Sequence, residues 1–157
     1  MSLFVFLFSL CGCQNNIFVA GNTSGLVYFH YSCTDSFNEG SQSYTVKKED
    51  DGTVRFCYKS FANEEGLEMI VDEELLDSLD RIYLDQKLAA WDGFHKTDNS
   101  IMDGESFSLT FGFADGTEQS ASGSNSYPKG YSTFTAAIEA LFTDYMKEMQ
   151  KNNYCSE

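Results

Sequence analysis

The chain is poor in basic residues: ten Lys and Arg stand against twenty-four Asp and Glu, a formal charge of −14 over 157 residues. Nucleic-acid binding rests on neutralising phosphates, so this balance argues against it, and equally against an electrostatic grip on anionic lipid. One Pro and twelve Gly are too few for flexible linkers. Two His, with no two Cys at C-x-x-C spacing, leave no zinc pattern. No G-x-S-x-G elbow is present, and no Gly-rich loop ends in Lys-Ser or Lys-Thr, so nothing marks a nucleophile or a phosphate cradle. No apolar run reaches the roughly 20 residues that span a bilayer as a helix.

What is present is a short apolar run at the start. Leu3 to Leu10 is apolar except for Ser9 and stops at Cys11-Gly12-Cys13. A run of this length before small residues has the form of a secretory h-region, although no Lys or Arg precedes it. Leu10-Cys11-Gly12-Cys13 also resembles a bacterial lipobox, with Cys13 as the lipidated residue. The expected organisation is a signal peptide over 1–12, a tether over 13–25 and a single domain over 26–157. The expected location is the outer face of the cell membrane, reached through a lipid on Cys13. Were Met1 the true start and retained, the same residues would form a buried first strand of a cytoplasmic protein.

Hydrophobic residues make up 42% of the chain and aromatics 15%, enough for a packed core. Leu26 to Tyr31 reads as a strand. Ser43 to Lys48 and Val54 to Lys59, joined through Glu49-Asp50-Asp51-Gly52, read as a hairpin. Leu67, Met69 and Val71 suggest a fourth strand after an Asn63–Gly66 turn. The period then changes to 3.6: Leu75, Leu76, Leu79, Ile82 and Tyr83 line one face of a helix over about 73–87, with Asp72 as its cap. A second hairpin follows. Phe107, Leu109, Phe111 and Phe113 face one way and Ser106, Ser108, Thr110 and Gly112 the other, with Asp115-Gly116 at the turn and a small-residue return strand over 117–123. A last helix over about 133–151, capped by Ser132, carries Phe134, Ile138, Leu141, Tyr145 and Met149. The order β-β-β-β-α-β-β-α predicts an α+β two-layer sandwich, an antiparallel sheet with two amphipathic helices on one face.

Five Cys are present. With Cys11 removed and Cys13 lipidated, Cys33, Cys57 and Cys155 remain, an odd number that allows at most one internal bridge. Cys33 and Cys57 sit in strand-like runs as small apolar residues, and His30 reads as a packed side chain.

The segment from Trp91 to Phe107 holds the sole Trp, one of the two His and four acids. It offers three readings. Trp91 and Phe94 can plug the open end of the core, with Gly93 and Gly104 in tight turns and the acids solvated. Asp92, Asp98, Asp103 and Glu105 can form a calcium site of hard oxygen ligands, though not an EF-hand, because Ile101 would fall at its third position. His95 with a neighbouring carboxylate can act as a base in a small hydrolase-like enzyme. Trp91, Phe94 and His95 thus mark a candidate binding loop, and Tyr28, Phe29 and Tyr31 a candidate aromatic patch. The expected role is binding of an unidentified protein or small molecule, calcium being the only cofactor in view.

Trp91-Asp92-Gly93-Phe94, Asp103-Gly104-Glu105-Ser106-Phe107, Ala121-Ser122-Gly123, Pro128 and Gly130-Tyr131 together resemble a family of small uncharacterised proteins. These occur mostly in anaerobic Gram-positive bacteria, often behind lipoprotein signals. The resemblance spans Tyr44 to Tyr145. It implies an extracytoplasmic setting and supplies no catalytic residues.

Overall fold

The computed structural model describes residues 25–35, 40–60, 62–101 and 103–154. The expected signal and tether, Cys13 and Cys155 lie outside them. Seven strands form one sheet: β1 (Leu26–Asp35), β2 (Gln42–Lys48), β3 (Val54–Ser60), β4 (Asn63–Val71), β5 (Phe94–Thr97), β6 (Glu105–Phe113) and β7 (Glu118–Ser124). Helix α1 (Glu74–Asp85) and a 3-10 turn (Leu88–Trp91) lie between β4 and β5, and α2 (Tyr131–Tyr154) follows β7. The strand order is β4-β3-β2-β1-β6-β7-β5. All neighbours pair antiparallel except β5 with β7, which pair parallel.

The two-layer α+β arrangement is therefore as the periodicities imply. Alternation sends Phe29, Tyr31, Tyr44, Val46, Val54, Phe56, Phe107, Leu109, Phe111 and Phe113 into one core. Leu75, Leu76, Leu79 and Tyr83 of α1 and Phe134, Ile138, Phe142 and Met149 of α2 close it from the same side. Phe142, fully buried, is the keystone: its ring stacks on Tyr44 at 4.8 Å and on Phe56 at 4.7 Å, and lies 6.0 Å from Phe29. One helical side chain thereby ties down three adjacent strands.

Several local expectations are corrected. Asp72 does not cap α1; Glu73 is the N-cap and makes no side-chain capping bond. Ser132 lies inside α2, whose first turn is held by the Gly130 carbonyl accepting from Thr133 and Phe134 N–H. Asn63–Gly66 is not a turn before β4 but part of it: Gly66 N–H donates to Asn63 Oδ1, and Gly66 takes φ +83°, beside a register shift against β3. Phe94–Thr97 is not loop but the short edge strand β5.

Candidate binding face

Strand alternation that buries one face exposes the other, and among the described residues no helix covers the second face. Register places its side chains in rows. Thr34, Ser106, Ser124 and Thr97 are successive neighbours across β1, β6, β7 and β5. The next row runs His95, Ser122, Ser108, Ser32, Ser43 and Lys59. The third runs Ser120, Thr110, His30, Thr45, Cys57 and Glu68. Of the aromatics near the start of β1, Phe29 and Tyr31 are buried in the core, so Tyr28 alone reaches the open face. The expected aromatic patch is therefore not there; hydroxyls occupy the face instead.

Hydrogen bonds knit these rows. Ser106 Oγ donates to Ser124 Oγ at 2.9 Å, His95 Nδ1 lies 2.8 Å from Ser122 Oγ, and His30 Nδ1 lies 2.9 Å from Thr45 Oγ1. Burial holds the His30 imidazole below the usual histidine range, so it stays neutral near pH 7. At the β4 side the face turns charged, where Arg55 pairs with Glu68 and Glu49 and Lys47 with Glu49.

Two depressions lie at the β5 end of the face. A depression of ≈ 260 Å³ is lined by the first hydroxyl row, by Asp35, Asp98 and Ile101, and by the amides of Asn99 and Asn125. A second, of ≈ 320 Å³, is lined by His95, Lys96, Phe107, Ser122 and Gly123. Thr97, Ser106 and Ser124 line both, so the two form one trough. Asp35 Oδ2 accepts the Gly40 N–H at 2.9 Å, whereas Oδ1 is buried without a hydrogen-bond partner.

The Trp91–Phe107 segment is distributed over distinct duties. Trp91 is buried against Phe134 at 5.4 Å and Tyr131 at 6.3 Å. Phe94 stacks toward Phe107 at 6.3 Å, and Tyr131 approaches Phe107 at 4.7 Å. Trp91 and Phe94 thus plug the core end. Gly93 takes φ +73° as a tight turn requires, but Gly104 does not. A Cβ on Gly104 would sit 1.5 Å from Asn125 Oδ1, so closeness, not backbone conformation, makes it glycine. Gly123 is similar, since a Cβ there would meet Ser126 O at 2.0 Å and Phe107 Cε1 at 2.7 Å. Trp91, Phe94, Phe107, Gly123 and Tyr131 therefore build this end of the core together.

The proposed calcium ligands are spread out. Asp92 Oδ1 accepts the Ser120 N–H, and Asp98 Oδ1 accepts the Ser100 N–H and hydroxyl, which hold the Asp98 carboxyl below its ordinary range. Asp103 is exposed in a bend, and Glu105 opens β6. Among the described residues no three His, Cys, Asp or Glu side chains gather as a metal would need. His95 is exposed on the trough wall, bonded to Ser122 and to neither Asp92 nor Asp98. The trough itself was not visible to sequence reasoning; only the alternation of Ser106, Ser108 and Thr110 in β6 pointed toward it.

Cys33 and Cys57 are free and half-buried. They lie on strands two apart and opposite faces: Cys33 faces the helices, while Cys57 aligns with Thr45 and His30 on the open face. Strands are spaced about 4.8 Å apart, so two intervals already exceed disulfide reach. A Cys33–Cys57 bridge is sterically excluded. Burial raises both thiols above the ordinary range, which disfavours the thiolate.

Set against known proteins, the chain matches no family model and no curated protein.

Proposed function

We propose that the chain is a lipid-anchored extracytoplasmic binding domain that meets its partner with the uncovered face of the sheet. The observation that carries this reading is the asymmetry of the sheet. Among the described residues, one face holds both helices and the core, while the other carries no helix, is hydroxyl-lined and is hollowed at the β5 end. A domain that needed only solubility would gain nothing from a trough on this face, and scattered surface charge would serve it as well. The signal-like start and Cys13 support the compartment. The face supports recognition through many weak polar contacts.

A photoreactive residue at Ser108, in the middle of the open face, is compared with one at Ala140, exposed on α2. The expected result in producing cells is adducts from Ser108 and none from Ala140. Adducts from Ala140 alone, or from neither position, would refute the reading. Intact mass tests the compartment: loss of residues 1–12 with a diacylglyceryl group on Cys13 is expected, and an unprocessed chain overturns it.

The hydrolase-like reading has one observation in its favour, the 2.8 Å His95 Nδ1 to Ser122 Oγ contact, a base beside a hydroxyl. It predicts ester turnover abolished by both His95→Ala and Ser122→Ala. Turnover indifferent to either change removes it.

A further inference from the structure

We infer that the free edge of β4 docks a cationic, extended segment of another protein, which adds to the sheet as a further strand. This goes beyond the open face and does not depend on it. The two edges of the sheet are finished differently.

Every second residue of an edge strand turns its N–H and C=O away from its neighbour, which leaves a template for another strand. β5 is a poor template, four residues long with Lys96 among them. β4 is a good one. It has nine residues, no Lys, Arg or Pro, and among the described residues it pairs with β3 alone. Its irregularity lies at the Gly66 end, and from Leu67 to Val71 the ladder against Tyr58 to Val54 is unbroken. Both faces of that stretch keep apolar surface uncovered. Ile70, on the open face, is 64% exposed, and Leu67, Met69 and Val71, on the helix side, are only partly buried. A strand laid against Leu67–Val71 would cover all four and pair the outward backbone groups in the same step.

Charge selects the occupant. Between Lys59 and Arg81 the sequence holds eight Asp and Glu and no Lys or Arg. Glu65 and Glu68 stand exposed along the edge, and Asp72 and Glu74 just past its end. On the helix side, burial and the charges of Glu74, Asp72 and Glu148 raise the Tyr145 phenol above its ordinary range, as a negative local field does. Of the neighbouring cations, Arg55 is engaged by Glu68 and Glu49, and Lys48 by Glu73. Lys59, whose stem lies over Gly66, offsets only part of the excess. A second copy of this chain would bring two such acidic edges together, and like charges across a strand pair are destabilising. An acidic strand is rejected on the same ground. A segment that alternates apolar residues with Lys or Arg meets both demands. Its apolar side chains cover Leu67, Met69 and Val71, while its cationic side chains lay their stems over Ile70 and reach Glu68. The acids thus guard the edge against its own kind and leave it open to a basic strand.

The test titrates 15N-labelled full chain with the capped peptide Lys-Val-Lys-Val-Lys-Val-Lys. Its controls are Glu-Val-Glu-Val-Glu-Val-Glu and Lys-Lys-Lys-Lys-Val-Val-Val, the latter of the same composition without alternation. Expected are saturating amide shifts at Leu67–Val71 with the first peptide alone, with β5 and β7 unmoved. Ile70→Lys and Glu65→Lys, both at exposed positions, should each weaken that binding at least about fivefold. No saturation with the alternating basic peptide, equal binding of either control, or indifference to either substitution would overturn the assignment. So would shifts in β4 that grow with protein concentration before any peptide is added, since they would put a second copy at the edge.

Discussion

Replacing Gly123 by Ala tests whether the small-residue character of β7 is a packing requirement. The added Cβ would lie 2.0 Å from Ser126 O and 2.7 Å from Phe107 Cε1. Comfortable contacts begin at about 3.5 Å, so about 1.5 Å must be recovered by moving the segment before α2, and about 0.8 Å by moving the ring. Neither gives easily: Phe107 is buried between Phe94 and Tyr131, and Tyr127, next to Ser126, is tied by its hydroxyl to Glu105 O at 3.2 Å. Overpacking of this kind costs about 1–3 kcal/mol and occasionally more, and the upper end is expected because the nearest obstacle is backbone. For a domain of this size 3 kcal/mol corresponds to a fall in Tm of about 10 °C. Gly116→Ala is the control: its φ is +84° but nothing lies within 4 Å, so only conformational strain of about 1 kcal/mol is expected. Urea and thermal unfolding followed by Trp91 fluorescence and circular dichroism give both values. A Gly123→Ala loss no greater than that of Gly116→Ala would refute the packing argument.

Phe142→Ala removes the ring that joins β1, β2 and β3, and a loss of about 3–5 kcal/mol in urea unfolding is expected. A loss below 2 kcal/mol would mean that the strands do not depend on it. Tyr31 OH lies 2.8 Å from Tyr131 OH, and burial pushes both phenols well above the ordinary range. The unfolded chain therefore releases these protons first, so stability is intact below about pH 10 and falls as pH rises beyond it. Tyr31→Phe should flatten that alkaline decline, as measured by Tm against pH. Millimolar calcium should leave Tm unchanged, because Asp92 and Asp98 already accept backbone N–H bonds; a concentration-dependent rise would contradict this.

The hairpins and helices were legible because each announces itself within a few residues. Phe107 to Phe113 alternates cleanly, Asp-Gly turns take positive φ, and the α1 stripe has the helical period. The strand β5 was not legible. Phe94-His95-Lys96-Thr97 is four residues long and mostly exposed, and its partner β7 lies more than twenty residues on. The caps failed for a related reason: Asp72 and Ser132 have suitable side chains, but packing of Leu75 and Phe134 set where each helix begins. Trp91 and Phe94 as a plug could be read from composition. The trough could not, because Thr34, Thr97, Ser106 and Ser124 become neighbours only through registers between strands far apart in sequence.

β1 is the central strand, paired to β2 over Tyr28–Cys33 on one side and to β6 over Leu26–Asp35 on the other. Residues 1–24 precede it in sequence. Any pull transmitted through them therefore enters the sheet at its middle and must strain two ladders together. A pull entering at β4 or β5 would peel away an edge, one bond at a time. The described sheet thus resists a pull applied at the start of β1 better than one applied at either edge strand.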